Sequence, residues 1–461
     1  IIVLFIPTLL FESAMNTDWY VFKKSFGNIL TLAGPGVMFM ILVLGGCIKW
    51  VLGYSDADFP WPAAFILASI VATTDPVAVV ALLKDVGAPP HFNVLVEGES
   101  LLNDGSAIVF FLLFKNMIDG HTSSFGSIIL DFSKFAIVGP LVGVIFGMLG
   151  CTWIKKIQRD DNLTTALTFC MCYLGFYVTE YLIGSSGILA VVGCGLYMAV
   201  FGRTRIGSSV EHSLHAVWSF LQWIAETLIF LLAGLLIGIE LVTNSDNVNG
   251  GDWLNMLGLY LCMTLGRLAM IFCFYPILSK TGYGLNWREA FVLCYGGLRG
   301  AISLALALLL RGAEKMGERT QQLVIFHTAG MATITMLLNA TTAGWVIKKL
   351  KAIKVSSAKT KIKLNFLTEL HLKAKHKLEE LQSEKYYELC NWEKTTKLVG
   401  LSADTTINFT KKIMSTTDKA LTVEHDTIAE VRYRTLKMLK SMSWERYEEG
   451  QLVPASIRML S

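Results

Sequence analysis

The stretch FILASIVATTDPVAVVALL (residues 65–83) is apolar enough to cross a bilayer, yet it carries Thr73, Thr74, Asp75 and Pro76 at its centre. Proline lacks an amide donor, clashes with the preceding turn and disfavours helix at the residue before it, so a helix here is expected to break at TTDP. A break at membrane depth exposes carbonyls on one half-helix and a positive N-terminal end on the other. Such backbone is tolerated only where it lines a cavity or is buried in protein. The plainer reading, a proline kink with Asp75 capping the second half, is compatible with this one. A second interruption lies in FVLCYGGLRGAISLALALLL (residues 291–310), where Gly296, Gly297 and Gly300 surround Arg299. Glycines weaken the helix, and a guanidinium at that depth needs carboxylates or free carbonyls as partners. Two broken spans, one in each half of the chain, point to an inverted-repeat transporter with its site where the breaks cross.

The surrounding composition agrees with a polytopic membrane protein. Of 461 residues 53% are hydrophobic and 16% charged, against about 25% charged in an ordinary soluble protein. Eleven runs are long enough to span roughly 30 Å of hydrocarbon: 1–15, 26–49, 61–84, 92–115, 132–154, 163–182, 186–202, 213–240, 253–279, 289–311 and 321–347. The opening residues lack an initiator Met and a basic region, so they read as the middle of a span and not as a secretory signal. Seven lysines lie between Lys348 and Lys363; if that side is cytoplasmic, the same-side loops hold ten basic residues (Lys23, Lys24, Lys84, Lys155, Lys156, Arg159, Arg203, Arg205, Lys280, Arg288) and the opposite loops five (Lys49, Lys115, Arg311, Lys315, Arg319). That asymmetry fits the positive-inside rule, and the acidic loop at 240–253 suits the outside. The expected domains are a transmembrane domain over 1–350 and a charged, amphipathic, mainly helical cytosolic tail over 351–461. A net charge of +4 without an aromatic-flanked basic patch argues against nucleic acid as a partner. The nine cysteines are scattered, with no CxxC pair, and read as small buried apolar residues.

The chemistry concentrates in VLVEGESLLNDGSAIVFFLLF (residues 94–114). On a helix Glu99 and Asn103 are four apart, as are Ser100 and Asp104, so the four make one polar patch. Glu97 sits off that patch near the wet end. Arg267 is the only charge in the middle of its span, and a buried Arg requires a carboxylate, for which Glu99 is the preferred partner. Asp104 then stays unpaired. One carboxylate that binds a proton or a monovalent cation, but not both, is the minimum machinery of antiport. A helix-bundle hydrogen bond to a neighbouring Thr or Ser is the competing role for Asp104. Glu12 and Glu226 are further intramembrane acids, equally suited to lining a cavity or to bonding between helices. His212, His215 and His327 read as surface or core histidines before pH sensors.

The stretches ATTDPVAVVALLKDVG, GESLLNDG, AETLIFLLAG and YGGLRGAI resemble the monovalent cation/proton antiporter superfamily on its sodium/proton exchanger branch, over nearly all of residues 1–350. The Asn103–Asp104 pair looks like the electroneutral branch, where the electrogenic one usually has two aspartates. The resemblance implies that Asp104 is the ion- and proton-binding carboxylate, that sodium sits at Asp104, Ser100 and Thr74, and that Thr73, Asp75 and Asn103 shape the site. It makes Glu99 and Arg267 the structural ion pair and places Arg299, Gly296 and Gly297 in the second broken helix. It implies thirteen spans, two of them absent here, with the breaks at the fourth span of one repeat and the fifth of the other. The tail and the stretch SLHAVWSFLQWIAETLIF look closer to a long-tailed subgroup containing the plant plasma-membrane salt-tolerance antiporter and the sperm-specific exchanger of animals, leaning to the latter. Regulatory domains C-terminal to this chain are an implication of that subgroup.

The expectation is therefore an all-α, inverted-repeat secondary antiporter in the lipid bilayer, exchanging sodium for a proton one for one by an elevator movement. It would be a homodimer in the plasma membrane, or the flagellar membrane for the sperm type, and would regulate intracellular pH and sodium. It would not be an enzyme and would need no cofactor beyond the transported sodium and proton. The alternatives are an exchanger preferring potassium or lithium, an electrogenic one, and a membrane sensor that binds without transporting.

Overall fold

Chain geometry changes at both interruptions. In the computed structural model of the protein, α4 (Trp61–Ala72) stops at Thr73, which turns extended at φ −58° and ψ 147°, and α5 (Val77–Val86) starts after Pro76. In the second half, α12 (Trp287–Tyr295) stops before Gly296, and Gly300, extended at φ −127° and ψ −156°, leads into α13 (Ala301–Leu309). The two breaks cross: the Asp75 amide donates to the Leu298 carbonyl at 2.9 Å, a short antiparallel bridge between otherwise helical segments.

The structure describes residues 2–56, 59–120, 130, 132–157, 160–202, 206, 208–243, 250–310, 315–350 and 357–383, with isolated positions between 390 and 446. Arg159, Arg203, Arg205 and Arg311, the loop centre 244–249, the lysine-bearing linker 351–356, the His212 side chain and most of the tail lie outside the described residues. The chain divides into two compact units, Ile1–Ile353 and Lys354–Ser461.

Within the first unit each broken helix is the middle member of a consecutive trio. One trio is α2 (Trp19–Thr31) with α3 (Val37–Gly46), then α4 and α5, then α6 (Pro90–Ile118); the other is α11 (Gly250–Leu278), then α12 and α13, then α14 (Glu318–Ile334) with α15 (Thr341–Leu350). These trios share one apolar core that includes Phe22, Ile29, Leu44, Phe92 and Leu259. A second core joins α1 (Ile2–Met15), α7 (Gly139–Ile154), α8 (Asp161–Tyr177), α9 (Gly187–Tyr197) and α10 (Ser208–Thr243). At its centre Trp218 is fully buried, stacked on Phe169 at 4.2 Å and lying 4.4 Å from Phe11, with its indole nitrogen donating to Thr168 at 3.0 Å. Backbones approach closely where small residues permit it: a Cβ on Gly143 would meet the Ala190 carbonyl oxygen at 1.9 Å.

Among the described residues seven helices are long and apolar enough to cross a membrane, while the apolar helices Leu4–Met15, Trp61–Ala72 and Gly187–Gly202 are shorter. Several long helices contain π-helical turns, at Leu32–Gly36, Cys47–Val51, Lys134–Val138, Val178–Ile183, Met198–Gly202 and Thr335–Ala340. His327 is a core residue: Tyr54 from the connecting segment donates to Asp252 at 2.8 Å and lies 2.7 Å from His327 Nε2. The described cysteines are free thiols. In the second unit α16 (Ser357–Ser383) carries a Glu369–Lys373 pair at 2.9 Å, one turn apart.

Candidate functional site

The site grows from α6, which passes beside the first break. Helical spacing puts Ser100, Asn103 and Asp104 on the face towards TTDP, and all three are buried. The Ser100 hydroxyl donates to the Thr74 carbonyl. Asn103 Nδ2 donates to the Ala72 carbonyl at 3.1 Å and to Thr74 Oγ1 at 3.3 Å. These bonds take over carbonyls that the end of α4 leaves without intrahelical partners. Asp75 Oδ1 accepts the Val77 amide at 3.0 Å and so caps α5. Thr73 borders the same space as Thr74 and Asp75, with its hydroxyl bonded to the Ile70 carbonyl at 2.8 Å.

Asp104 differs from its neighbours. It is 6% exposed, and its Oδ1 atom has no hydrogen-bond partner; Asn103 Oδ1 is likewise buried without one. An unsatisfied acceptor oxygen on a buried carboxylate suits a cation, because leaving it unmatched costs free energy. Asp104 lines a cavity of about 70 Å³ together with Ser100, Thr74 and Asp75, and the N-terminal residues of α5 and α13 border the same space. Helix N-termini carry partial positive charge, here facing a carboxylate. Among the described residues no group of three His, Cys, Asp or Glu side chains is arranged for a resident metal; a transported sodium would be held by oxygen atoms as cargo.

The second break contributes close approach and positive charge. A Cβ on Gly300 would lie 2.0 Å from Asp75 Oδ2, so only glycine permits this crossing. Arg299 is 1% exposed; its Nη1 atom donates to the carbonyls of Gly297 at 3.3 Å and Leu298 at 3.4 Å, while Nε and Nη2 have no hydrogen-bond partner. Gly296 continues the last turn of α12, its amide donating to Val292 at 2.8 Å. Arg267 Nη2 donates to Glu99 Oε1 at 2.8 Å, and Nε and Nη2 also reach the Leu293 carbonyl at 3.2 and 3.1 Å. A Cβ on Gly297 would press on Arg267 Nε at 2.8 Å. Thus Glu99 faces Arg267 in a smaller pocket beside the cavity, while Asp104 faces the cavity itself.

The remaining acids separate by role. Glu97 forms a partly exposed pair with Lys84 at 3.0 Å, away from the cavity. Glu12 binds between helices, accepting from Asn16 at 2.5 Å and from Ser219 of α10 at 2.8 Å. Glu226 lines the cavity and accepts from Gln222 at 2.8 Å. His215 is exposed and bonded to Ser219. Sequence reasoning missed Gln222 and Ser303, which also line the cavity. The i, i+4 spacing of Gln222 and Glu226 was a usable signal for the first; nothing local marked the second.

Comparison with known proteins follows this architecture. The family described as sodium/hydrogen exchanger, transmembrane, matches residues 1–349. Sodium/hydrogen exchanger 7 of Arabidopsis thaliana is 32% identical over the whole chain, which covers 40% of that relative; sodium/hydrogen exchanger 8 of the same plant is 31% identical, with 61% covered. The chain therefore spans about half the length of these relatives. Mouse solute carrier family 9 member C1 is 27% identical over 78% of the chain, so similarity runs further to the plant relatives than to this animal one, against the lean to the animal type. In structure, the sodium proton antiporter MjNhaP1 of Methanocaldococcus jannaschii matches with a TM-score of 0.62 at 20% identity, covering 75% of this chain and 84% of that one, which shows a shared fold. With the match reaching from the first residue through both breaks and past α14, the chain belongs to the sodium/hydrogen exchanger family.

Proposed function

We propose that this protein is a secondary-active antiporter that exchanges sodium for a proton, one for one, by alternating access around Asp104. The observation that carries the reading is the buried Asp104 carboxylate, whose Oδ1 has no partner in a cavity at the crossing of two broken helices. The names of its relatives, sodium/hydrogen exchangers and sodium proton antiporters, support the choice of ions. Sodium binds at Asp104 with oxygens of Ser100 and Thr74, and the buried Asn103 Oδ1 is a further ligand. Thr73 and Asp75 shape the backbone around it. Glu99 is neutralised by Arg267, so Asp104 alone alternates between proton and sodium and each cycle moves one of each. This makes the exchange electroneutral. Arg299 stands opposite as fixed countercharge, and Gly296 and Gly297 give its segment room. Glu226 lines the access path, and Glu12 ties α1 to α10 beside it.

The eleven helical runs span the bilayer, with the tail cytoplasmic. The body containing the crossing moves against the body around Trp218 in an elevator fashion, as a homodimer in the plasma membrane, and the exchange sets intracellular pH and sodium. The test is sodium-dependent proton flux in proteoliposomes. The wild type should exchange without net current, and Asp104→Asn should abolish exchange while eluting as folded protein. Undiminished flux in Asp104→Asn would overturn the assignment; flux driven by potassium but not sodium, or current under an imposed voltage, would replace the ion or the stoichiometry.

A further inference from the structure

We infer that Thr335 and Asn339, on the π-helical turn between α14 and α15, are positioning residues that hold the second broken helix in its working geometry; the functional part of this inference rests on the antiport reading. In an unbroken helix the Arg299 amide would donate to the Tyr295 carbonyl four residues back. The break separates that pair. The Arg299 amide instead donates to Thr335 Oγ1 at 3.2 Å, and the Tyr295 carbonyl accepts from Asn339 Nδ2 at 3.4 Å. Two side chains four residues apart therefore replace, from outside, one of the helical bonds that the break removes.

The supporting contacts make this a built arrangement. Thr335 is fully buried and Asn339 is 3% exposed. The Thr335 hydroxyl donates to the carbonyls of Met331 at 2.9 Å and Ala332 at 3.1 Å, which leaves its lone pairs to accept Arg299. Tyr260 on α11 donates to Asn339 Oδ1 at 2.6 Å, which turns the amide nitrogen of Asn339 towards Tyr295. Both residues belong to the turn Thr335–Ala340. A π-helical turn carries one more residue than the α-helical path, and such turns concentrate at functional sites.

The first break is served in a parallel way. There the helix that follows the break supplies Ser100 and Asn103, which hold the Thr74 and Ala72 carbonyls. In the second trio the following helix supplies Thr335 and Asn339. The residue after Asn103 is Asp104, whereas the residue after Asn339 is Ala340. The two clamps thus share a hydroxyl and an amide, and only the first adds a carboxylate. The second clamp fixes Leu298, whose carbonyl meets Asp75, and Gly300, which borders the cavity, so its effect reaches the cation through the shape of the break.

The experiment uses the full chain in proteoliposomes together with hydrogen–deuterium exchange in micelles. Thr335→Val keeps shape and removes the acceptor; Thr335→Ser keeps the hydroxyl. Thr335→Val should raise the sodium KM about five-fold, the size of one lost hydrogen bond, with kcat within about two-fold. Amide exchange across residues 296–300 should quicken by a similar factor, and Thr335→Ser should restore both. Tyr260→Phe, which removes one half-buried hydroxyl, should move both readouts the same way and less. Unchanged KM and amide exchange in Thr335→Val, or equal damage from Thr335→Ser, overturns the clamp. If Thr335→Val is not recovered folded, Tyr260→Phe decides by the same two readouts. If the wild type shows no sodium-dependent flux the antiport reading fails, while amide exchange still decides whether the clamp exists.

Discussion

Breaking the Glu99–Arg267 pair tests whether the acid beside Asp104 is consumed by structure. Both side chains are buried, at 3% and 5% exposure, and meet at 2.8 Å. Glu99→Gln keeps an acceptor near Arg267 but removes the charge, leaving the guanidinium with neutral acceptors, the new amide oxygen and the Leu293 carbonyl. Removing one partner of a buried pair costs about 3–5 kcal/mol, and the retained acceptor puts this variant at the lower end. Arg267→Met removes the cation with little loss of volume and strands the Glu99 carboxylate, at the upper end of the same range. With both changes neither charge is stranded, so the double variant should recover about 2–3 kcal/mol relative to the sum of the singles. The assay is reversible unfolding of the purified protein in mixed micelles titrated with sodium dodecyl sulfate, read by tryptophan fluorescence and circular dichroism. A recovery of that size changes the folded-to-unfolded ratio by about thirty- to a hundred-and-fifty-fold. Losses that add to within about 0.5 kcal/mol, as for independent sites, would refute the pairing and return Glu99 to the pool of transport carboxylates.

Gly300→Ala should cut sodium-dependent flux at least about ten-fold in folded protein, because its Cβ would stand 2.0 Å from Asp75 Oδ2 and push the two breaks apart; flux equal to wild type would show that the crossing tolerates a wider gap. Burial above all raises the Tyr54 phenol from its ordinary value of 10.0. The folded state therefore favours the protonated form, and the stability this adds is present below pH 10.0 and is lost as pH rises through the folded value. Tyr54→Phe should remove that alkaline decline and, by withdrawing a partner from Asp252 and His327, lower stability near neutrality by about 1–3 kcal/mol; a midpoint of unfolding that follows pH as in the wild type would refute this. The loss of exchange in Asp104→Asn and the KM shift in Thr335→Val complete the set.

The sequence alone determined the membrane class, the two interruptions and the local polar patch, because each follows from short-range physics. Hydrophobic run length sets which segments can cross a bilayer, proline removes a donor at a known position, and helical spacing puts Ser100, Asn103 and Asp104 on one face. Tertiary structure decided what those residues meet. Nothing local states that the Asp75 amide bonds to Leu298, that Gly300 must lack a side chain to admit Asp75, or that Glu12 bonds Ser219 while Glu226 borders the cavity. Thr335 and Asn339 were invisible for the same reason: each is an ordinary polar residue in a helix until a backbone amide and a carbonyl from another helix arrive without partners. A buried polar group must be satisfied by whatever lies across from it, and only the folded chain brings those partners within reach.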